Sequence, residues 1–340
     1  MSTLAIVGAS GVCGREAVII LNEQTDIYVK KLYLFASARS SGESVDFRGS
    51  SVIIEEYTSD ETFADVDFVI LFTPTSLSKE IVSNCKKSSN SPVIIDNSSA
   101  FRMDPNVPLV IPEITKFSKY SSAQVISNPN CSTIILLHGL YHLMKSTKNK
   151  IKSVDVTTFQ AVSGAGKEGL DELKNQILSY PGQASTDNFG RQILCNVIPH
   201  ESDIDPNNGY NQEEIKIVKE TEKILEIPNF PIDVECSRAG VERCHLEVVK
   251  VKFETPYETP LNTLIDNAWN DVPGVKVVSS LSDKTKFMDP LSASSTNDVY
   301  ISRIRFSHND PRCLKFRLVG DQLRVGAAWN ALKIFRILSK

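Results

Sequence analysis

Leu4-Ala5-Ile6-Val7-Gly8-Ala9-Ser10-Gly11-Val12-Cys13-Gly14, near the start of this 340-residue chain, is the stretch on which the fold turns. Four apolar residues suited to a strand run into three spaced glycines, and a helix is expected from about Val12 to Asn22, with Leu32–Ala36 as the next strand. Glycines between a strand and a helix permit a tight turn, let the backbone approach a pyrophosphate, and let the helix pack closely on the strand. The unpaired N–H groups of the helix then face the anion. The spacing is Gly-x-x-Gly-x-x-Gly, whereas the commoner form is Gly-x-Gly-x-x-Gly, and a glycine triplet by itself is weak evidence. Its place between strand and helix gives it weight. Gly8, Ser10, Gly11, Val12, Cys13 and Gly14 are therefore expected to line a dinucleotide site.

The end of the second strand bears on which dinucleotide. An Asp or Glu there would bond a ribose 2′-hydroxyl, whereas a 2′-phosphate calls for a cation. The chain reads Ser37-Ala38-Arg39-Ser40-Ser41-Gly42, with no acid. Ser37, Arg39 and Ser40 thus favour NADP(H), although Arg39 also fits an ordinary surface position. Further strands are expected near Val52–Ile54, Asp67–Phe72 and Pro92–Asp96, with a helix near Leu77–Lys87. This alternation implies a parallel, doubly wound, Rossmann-like sheet with ligands at the strand carboxyl ends.

A second signal lies at Asn128-Pro129-Asn130-Cys131-Ser132-Thr133. Pro129 disfavours helical geometry at Asn128, so the chain should arrive extended. The apolar run Ser132–Leu140 reads as a buried helix whose N-terminal dipole points at the Cys131 sulfur. That placement favours thiolate and lowers the pKa from a free value of roughly 8.5. A cysteine ahead of an apolar helix is also a common small core residue. Of the seven cysteines, six are expected to be of that plain kind. A dinucleotide loop and an activated thiol in one chain suit oxidation of an aldehyde through a thioester, or the reverse.

Composition excludes several other classes. A formal charge of −4 leaves no basic footprint for nucleic acid. The Met-Ser-Thr-Leu start lacks the basic and apolar regions of a signal peptide, and no apolar run reaches the 18 or so residues of a membrane span. No Cys-x-x-Cys pair or Cys/His cluster indicates a disulfide framework or a metal site. A cytoplasmic setting, no membrane partner and no bound metal are expected. Ser88–Ser91 is the one Ser/Asn-rich patch.

Beyond Cys131 the pattern changes. Strands are expected at Val154–Gln160, Ile232–Arg238, Leu246–Glu254, Val275–Ser279, Val299–Phe306 and Leu314–Val319, and helices at Gly166–Leu178 and Gln212–Leu225. Ser179–Asn211 reads as loop-rich. This composition suits an α+β domain with a mostly antiparallel sheet and helices on one face. The expected division is a dinucleotide domain over 1–130, joined by the C-terminal segment 322–340 with a helix over Gln322–Leu338, and a catalytic and dimerisation domain over 131–321.

Taken with Asp96-Asn97-Ser98-Ser99-Ala100-Phe101-Arg102, Gln160-Ala161-Val162-Ser163-Gly164-Ala165-Gly166, Glu213-Glu214-Ile215-Lys216, Cys236-Ser237-Arg238, Arg243-Cys244-His245 and Val319–Ala328, these segments resemble the aspartate-β-semialdehyde dehydrogenase family nearly end to end, its bacterial branch most. The resemblance implies NADPH-dependent reduction of aspartyl phosphate to aspartate semialdehyde with release of phosphate, on the route to lysine, threonine and methionine. It implies Cys131 as nucleophile, His245 in acid–base work, Gln160 as a substrate-positioning residue and Arg238 on the substrate α-carboxylate. Glu213 would meet the ammonium, Lys216 and Arg102 the phosphate, with Asn130 also at the substrate and Ser163 and Gly164 at the cofactor. A Glu/Lys pair three apart on a helix also fits a plain solvated face. The family pattern suggests a homodimer or a dimer of dimers. The chain departs from that pattern at Cys13 and at Leu246, where the family often has serine after its histidine. The related N-acetyl-glutamyl-phosphate reductases tend to carry Gly-Cys-Tyr at the nucleophile, against Asn-Cys-Ser here.

Overall fold

The computed structural model describes residues 2–58, 63, 65–86, 91–278 and 287–340. Of the Ser/Asn-rich patch only Ser91 falls within them, and the expected element ends at Lys87 and Ser279 lie outside. The chain forms two compact units, Met1–Asn130 with Ala327–Lys340, and Cys131–Gly326. No helix among the described residues is long and apolar enough to cross a membrane.

The first unit holds β1 (Ser2–Val7), α1 (Val12–Glu23), β2 (Val29–Ala36), β3 (Ser44–Phe47), β4 (Ser50–Glu56), β5 (Phe68–Leu71), α2 (Thr75–Cys85), β6 (Val93–Asp96) and β7 (Val125–Ser127). The strand order is β3-β4-β2-β1-β5-β6-β7, parallel throughout except for β3 on β4. Strands in such a sheet are covered on both faces, so they read as continuous apolar runs. In β1, Leu4 and Ile6 join one buried cluster while Ala5 and Val7 join another on the opposite face. The C-terminal helix, Trp329–Leu338, adds Ala331, Leu332, Ile334 and Phe335 to the cluster of Leu4 and Ile6.

The second unit holds α3 (Cys131–Ser146), β8 (Ile151–Ala161), α4 (Gly166–Ser179), β9 (Val197–Pro199), α5 (Gln212–Leu225), β10 (Ile232–Ala239), β11 (His245–Phe253), α6 (Leu261–Trp269), β12 (Val275–Val278), α7 (Pro290–Ala293), β13 (Val299–Phe306) and β14 (Cys313–Gly320). Its sheet runs β12-β13-β14-β11-β8-β10-β9. Four of the strand pairings are antiparallel, while β8/β10 and β12/β13 are parallel. The parallel β8/β10 pair sets Arg238 opposite Gln160, one residue from the strand ends. A capping box fixes α5: Asn211 Oδ1 accepts from the Glu214 amide at 2.9 Å, and Glu214 Oε2 accepts from the Asn211 amide at 2.8 Å. The other Glu214 oxygen accepts from the Cys236 amide at 2.9 Å, tying the start of α5 to β10.

The structure departs from the sequence expectation at several points. β3, β7, β9, α6 and α7 were not expected, and His245 is the first residue of β11 rather than the residue before it. The last helix does not start at Gln322. A π-helical turn spans Arg324–Ala328, the α-helix begins at Trp329, and the second unit extends to Gly326. Asp321 explains the delay, because its carboxylate accepts from the Leu323 amide at 3.0 Å and binds the Arg243 guanidinium at 2.6 Å.

Phe335 is fully buried and meets Phe68 of β5 edge-on, with ring centroids 5.1 Å apart. Phe335→Ala is expected to destabilise the first unit by about 3–5 kcal/mol, which urea denaturation would measure. A loss below about 1 kcal/mol would show that the C-terminal helix is not part of this core.

Candidate active site

α3 begins at Cys131, so the sulfur stands at the helix end whose first N–H groups have no intrahelical acceptor. The side chain is half-buried. Gly326 approaches it so closely that an added Cβ would lie 2.8 Å from the Cys131 Cβ, which only glycine avoids. His245 Nε2 lies 3.3 Å from Cys131 Sγ. On the other side of the ring, Nδ1 accepts a hydrogen bond from the Ala161 amide at 3.1 Å. An acceptor nitrogen carries no proton, so the neutral ring carries its proton on Nε2, the atom that faces sulfur. Complete burial, then the Arg238 charge, hold the His245 pKa down to about 3. The imidazole is a neutral donor aimed at the thiol.

Arg238 is 2% exposed and reaches this cluster from β10. The sequence expectation left its guanidinium open for a substrate carboxylate, and the structure fills it. Nε and Nη2 grip Glu201 at 3.1 and 2.6 Å, Nη2 also donates to His200 Nε2 at 2.9 Å, and Nη1 donates to the Ala161 carbonyl at 2.6 Å. Burial, followed by the Arg238 charge, lowers the His200 pKa. Gln160 Nε2 is 3.5 Å from Glu213 Oε1, and Lys216 Nζ is 3.3 Å from Glu213 Oε2. Cys131, His245, Gln160, Arg238, Glu213 and Lys216 all belong to the second unit. Sequence reasoning missed Ala161, His200 and Glu201; the last two sit in the stretch read only as loop.

Ser163 and Gly164 fare differently from each other. The Ser163 hydroxyl donates to the Glu242 carbonyl at 2.6 Å and accepts from Gln322 Nε2, so its one proton is committed within the protein. At Gly164, an added Cβ would stand 2.9 Å from Arg238 Nη1 and 3.3 Å from His245 Cε1. The glycine keeps that space clear. The cysteines also need correction. Only Cys85, Cys236, Cys244 and Cys313 are buried; Cys13 is intermediate and Cys195 is exposed in the loop before β9, with φ +56°. Burial pushes the Cys236 and Cys244 thiols up, which removes both as nucleophiles.

In the first unit the glycine loop behaves as its sequence demands. Gly8 has φ +84° and an added Cβ would lie 2.2 Å from the Phe72 carbonyl oxygen; one at Gly14 would lie 2.2 Å from that of Gly8. No side-chain hydrogen bond from Gly11 caps α1, and the N-terminal end of the helix dipole at this turn suits an anion. Ser10 and Gly11 complete the turn, Ser37 and Arg39 are exposed after β2, and Ser40 is half-buried. These features fit a dinucleotide phosphate chain. Arg102 Nη2 donates to the Asn97 carbonyl at 2.8 Å. The segment leading to Cys131 is held by asparagines: Asn330 Nδ2 donates to Asn128 Oδ1 at 2.6 Å, and Asn128 Nδ2 donates to Asn97 Oδ1. Asn130 is buried.

The depressed His245 pKa has a consequence for stability. Between the ordinary value of 6.5 and about 3, the unfolded chain binds a proton that the folded chain refuses. Stability is therefore lost as pH falls through that window, by up to about 1.4 kcal/mol per pH unit from this one group. His245→Asn should show a shallower fall in unfolding free energy between pH 7 and 5 than the unmodified chain, measured by denaturant titration. Identical slopes would mean that His245 can be protonated in the folded state.

Comparison with known proteins agrees with this geometry. Residues 3–120 match the semialdehyde dehydrogenase NAD binding domain, and residues 140–325 match the semialdehyde dehydrogenase dimerisation domain. An aspartate-semialdehyde dehydrogenase of Prochlorococcus marinus is 35% identical over 99% of this chain and 95% of its own length. One from Helicobacter pylori is 38% identical over 97% of this chain and 96% of its own. The crystal structure of aspartate semialdehyde dehydrogenase II complexed with ASA from Vibrio cholerae has a TM-score of 0.89 and 30% identity, covering 100% of this chain and 98% of that one. With an NAD(P)-binding unit of that kind and a thiol held against a buried imidazole, the chain belongs to the aspartate-semialdehyde dehydrogenase family of oxidoreductases.

Proposed function

We propose that the protein catalyses NADPH-dependent reductive dephosphorylation of L-aspartyl-4-phosphate to L-aspartate-4-semialdehyde through a thioester on Cys131, in lysine, threonine and methionine biosynthesis. The observation that carries this reading is the 3.3 Å contact of Cys131 Sγ with His245 Nε2, on a ring whose Nδ1 is occupied by a backbone amide. The Vibrio cholerae relative in complex with ASA supports a small-molecule substrate of that kind.

The Cys131 thiolate attacks the acyl carbon, the carbonyl electrons move onto oxygen, and their return expels phosphate to leave the thioester. NADPH would be held by the Gly8–Gly14 turn with Ser37, Arg39 and Ser40, and would supply the hydride; reduction of the Cys131 thioester then gives a thiohemiacetal oxyanion. Collapse of that oxyanion breaks the carbon–sulfur bond, releases the aldehyde and restores the thiolate. The cycle needs no proton on sulfur, which suits a neutral His245 whose Nε2–H serves the thiolate and then the oxyanion as a donor. Gln160 positions the acyl group and Asn130 supports it. Arg238 takes the α-carboxylate and Glu213 the ammonium. The phosphate end is assigned to Lys216 and Arg102.

Arg39, with Ser37 and Ser40, supports NADP over NAD. The dimerisation-type second unit supports a homodimer or a dimer of dimers, and seven free thiols suit the reducing cytoplasm. Phosphate-dependent NADP reduction with aspartate semialdehyde, before and after thiol alkylation, tests the whole reading. Cys131→Ala is expected to fold and to lose at least about a thousandfold in turnover. Substantial residual rate would end the thioester mechanism for this chain. Arg39→Ala should raise the KM for NADPH by about tenfold or more. Equal use of NADH and NADPH by the unmodified protein would refute the cofactor assignment.

A further inference from the structure

A guanidinium has five N–H donors. Among the described residues, four of those on Arg238 are committed: Nε and one Nη2 hydrogen to Glu201, the second Nη2 hydrogen to His200, and one Nη1 hydrogen to the Ala161 carbonyl. The remaining N–H is on Nη1, beside Gly164 and the His245 ring. The flat edge formed by Nε and Nη2, the edge best matched to a carboxylate, is already holding one.

We propose that Glu201 is an internal competitor for the substrate α-carboxylate: it holds the Nε–Nη2 edge of Arg238 in the substrate-free enzyme, and substrate binds by displacing it. This rests on the reading of Arg238 as the carboxylate-binding residue. Three observations support the exchange. Arg238 lies within strand β10 and its side chain is 2% exposed, so it can neither move away nor stand without a counter-charge. Glu201 is 23% exposed on an irregular segment between β9 and α5, so it can swing into water at small cost. A second carboxylate arriving while Glu201 stays would find one N–H and a like charge beside it. Burial raises the Glu201 pKa, yet the hydrogen bonds and charge of Arg238 outweigh that and leave it below the usual value, so the competitor is ionised at neutral pH.

The exchange makes Glu201 a determinant of substrate affinity and specificity. An aldehyde without an α-carboxylate has nothing to offer Arg238 and leaves Glu201 in place. A substrate with one binds more weakly by the fraction of time that the edge is open. Glu201→Gln keeps the shape and removes the charge. In the oxidative direction its KM for aspartate semialdehyde should fall by about three- to tenfold, with the KM for phosphate as internal reference. An unchanged or raised KM for the semialdehyde would overturn the proposal and make Glu201 a residue that orients Arg238. Arg238→Lys separates the two readings, because it tests the carboxylate role of Arg238 whatever Glu201 does. If Arg238→Lys raises that KM while Glu201→Gln does not lower it, only the competition falls; if Arg238→Lys leaves it unaltered, the carboxylate assignment falls as well. Should Glu201→Gln fail to fold, a crystal structure of the unmodified enzyme with aspartate semialdehyde decides. Glu201 is expected off the Nε–Nη2 edge, and its persistence there with substrate bound would overturn the proposal.

Discussion

The Arg238 guanidinium lies buried in the second unit, and the electrostatics of the site follow from it. Taking a guanidinium out of water costs several kcal/mol unless its donors are met and its charge is balanced. Glu201 balances the charge of Arg238, while the Ala161 carbonyl and His200 Nε2 meet two more of its N–H groups. The same charge acts on the two neighbouring imidazoles and, after burial, is the second cause that lowers both. A neutral His245 is thus a product of where Arg238 sits, as well as of its own burial.

Ala161 is where these constraints meet. Its N–H fixes the tautomer of His245 and its C=O fixes Nη1 of Arg238, so one residue at the end of β8 orients the group that serves the sulfur and the group assigned to the carboxylate. Strand geometry makes this possible. β8 lies between β10 and β11, so a residue at its end can reach the side chains of both neighbours. The site is built on paired strands, where backbone groups are held by the ladder, and is more rigid for it.

The contrast explains what could be read from the sequence. The glycine loop was legible because its demand is local: a turn with positive φ and a helix within touching distance leave no room for a Cβ, so the letters must be glycine. Cys131 was legible for a similar reason, since a proline two residues earlier and an apolar run afterwards fix it at a helix start. Ala161 was not, because a backbone donor has no letter of its own. Glu201 was not either, since its pairing with Arg238 spans 37 residues and depends on how β9 lies beside β10. Ser163 was named only through the family resemblance, and the tie of its hydroxyl to Glu242 and Gln322 joins residues far apart in the chain. His245 was placed only through the family resemblance, because nothing in Cys244-His245-Leu246 marks its tautomer.

The charged groups assigned to substrate are not bare in this structure. Arg238 holds Glu201, and Glu213 holds Lys216. The proposed substrate, with a carboxylate, an ammonium and an acyl phosphate, would present a charge opposite to Arg238, Glu213 and Lys216 in turn. Binding would then exchange one set of ion pairs for another without drying out isolated charges, whose desolvation would otherwise set the affinity. Net affinity from such an exchange is modest, because each gain is offset by a pair that is broken. Selectivity is large, because a ligand lacking any one group leaves a protein pair intact and loses the compensating contact. The arrangement suits an enzyme that must recognise a small, highly charged molecule by its full set of charges and still let the product leave.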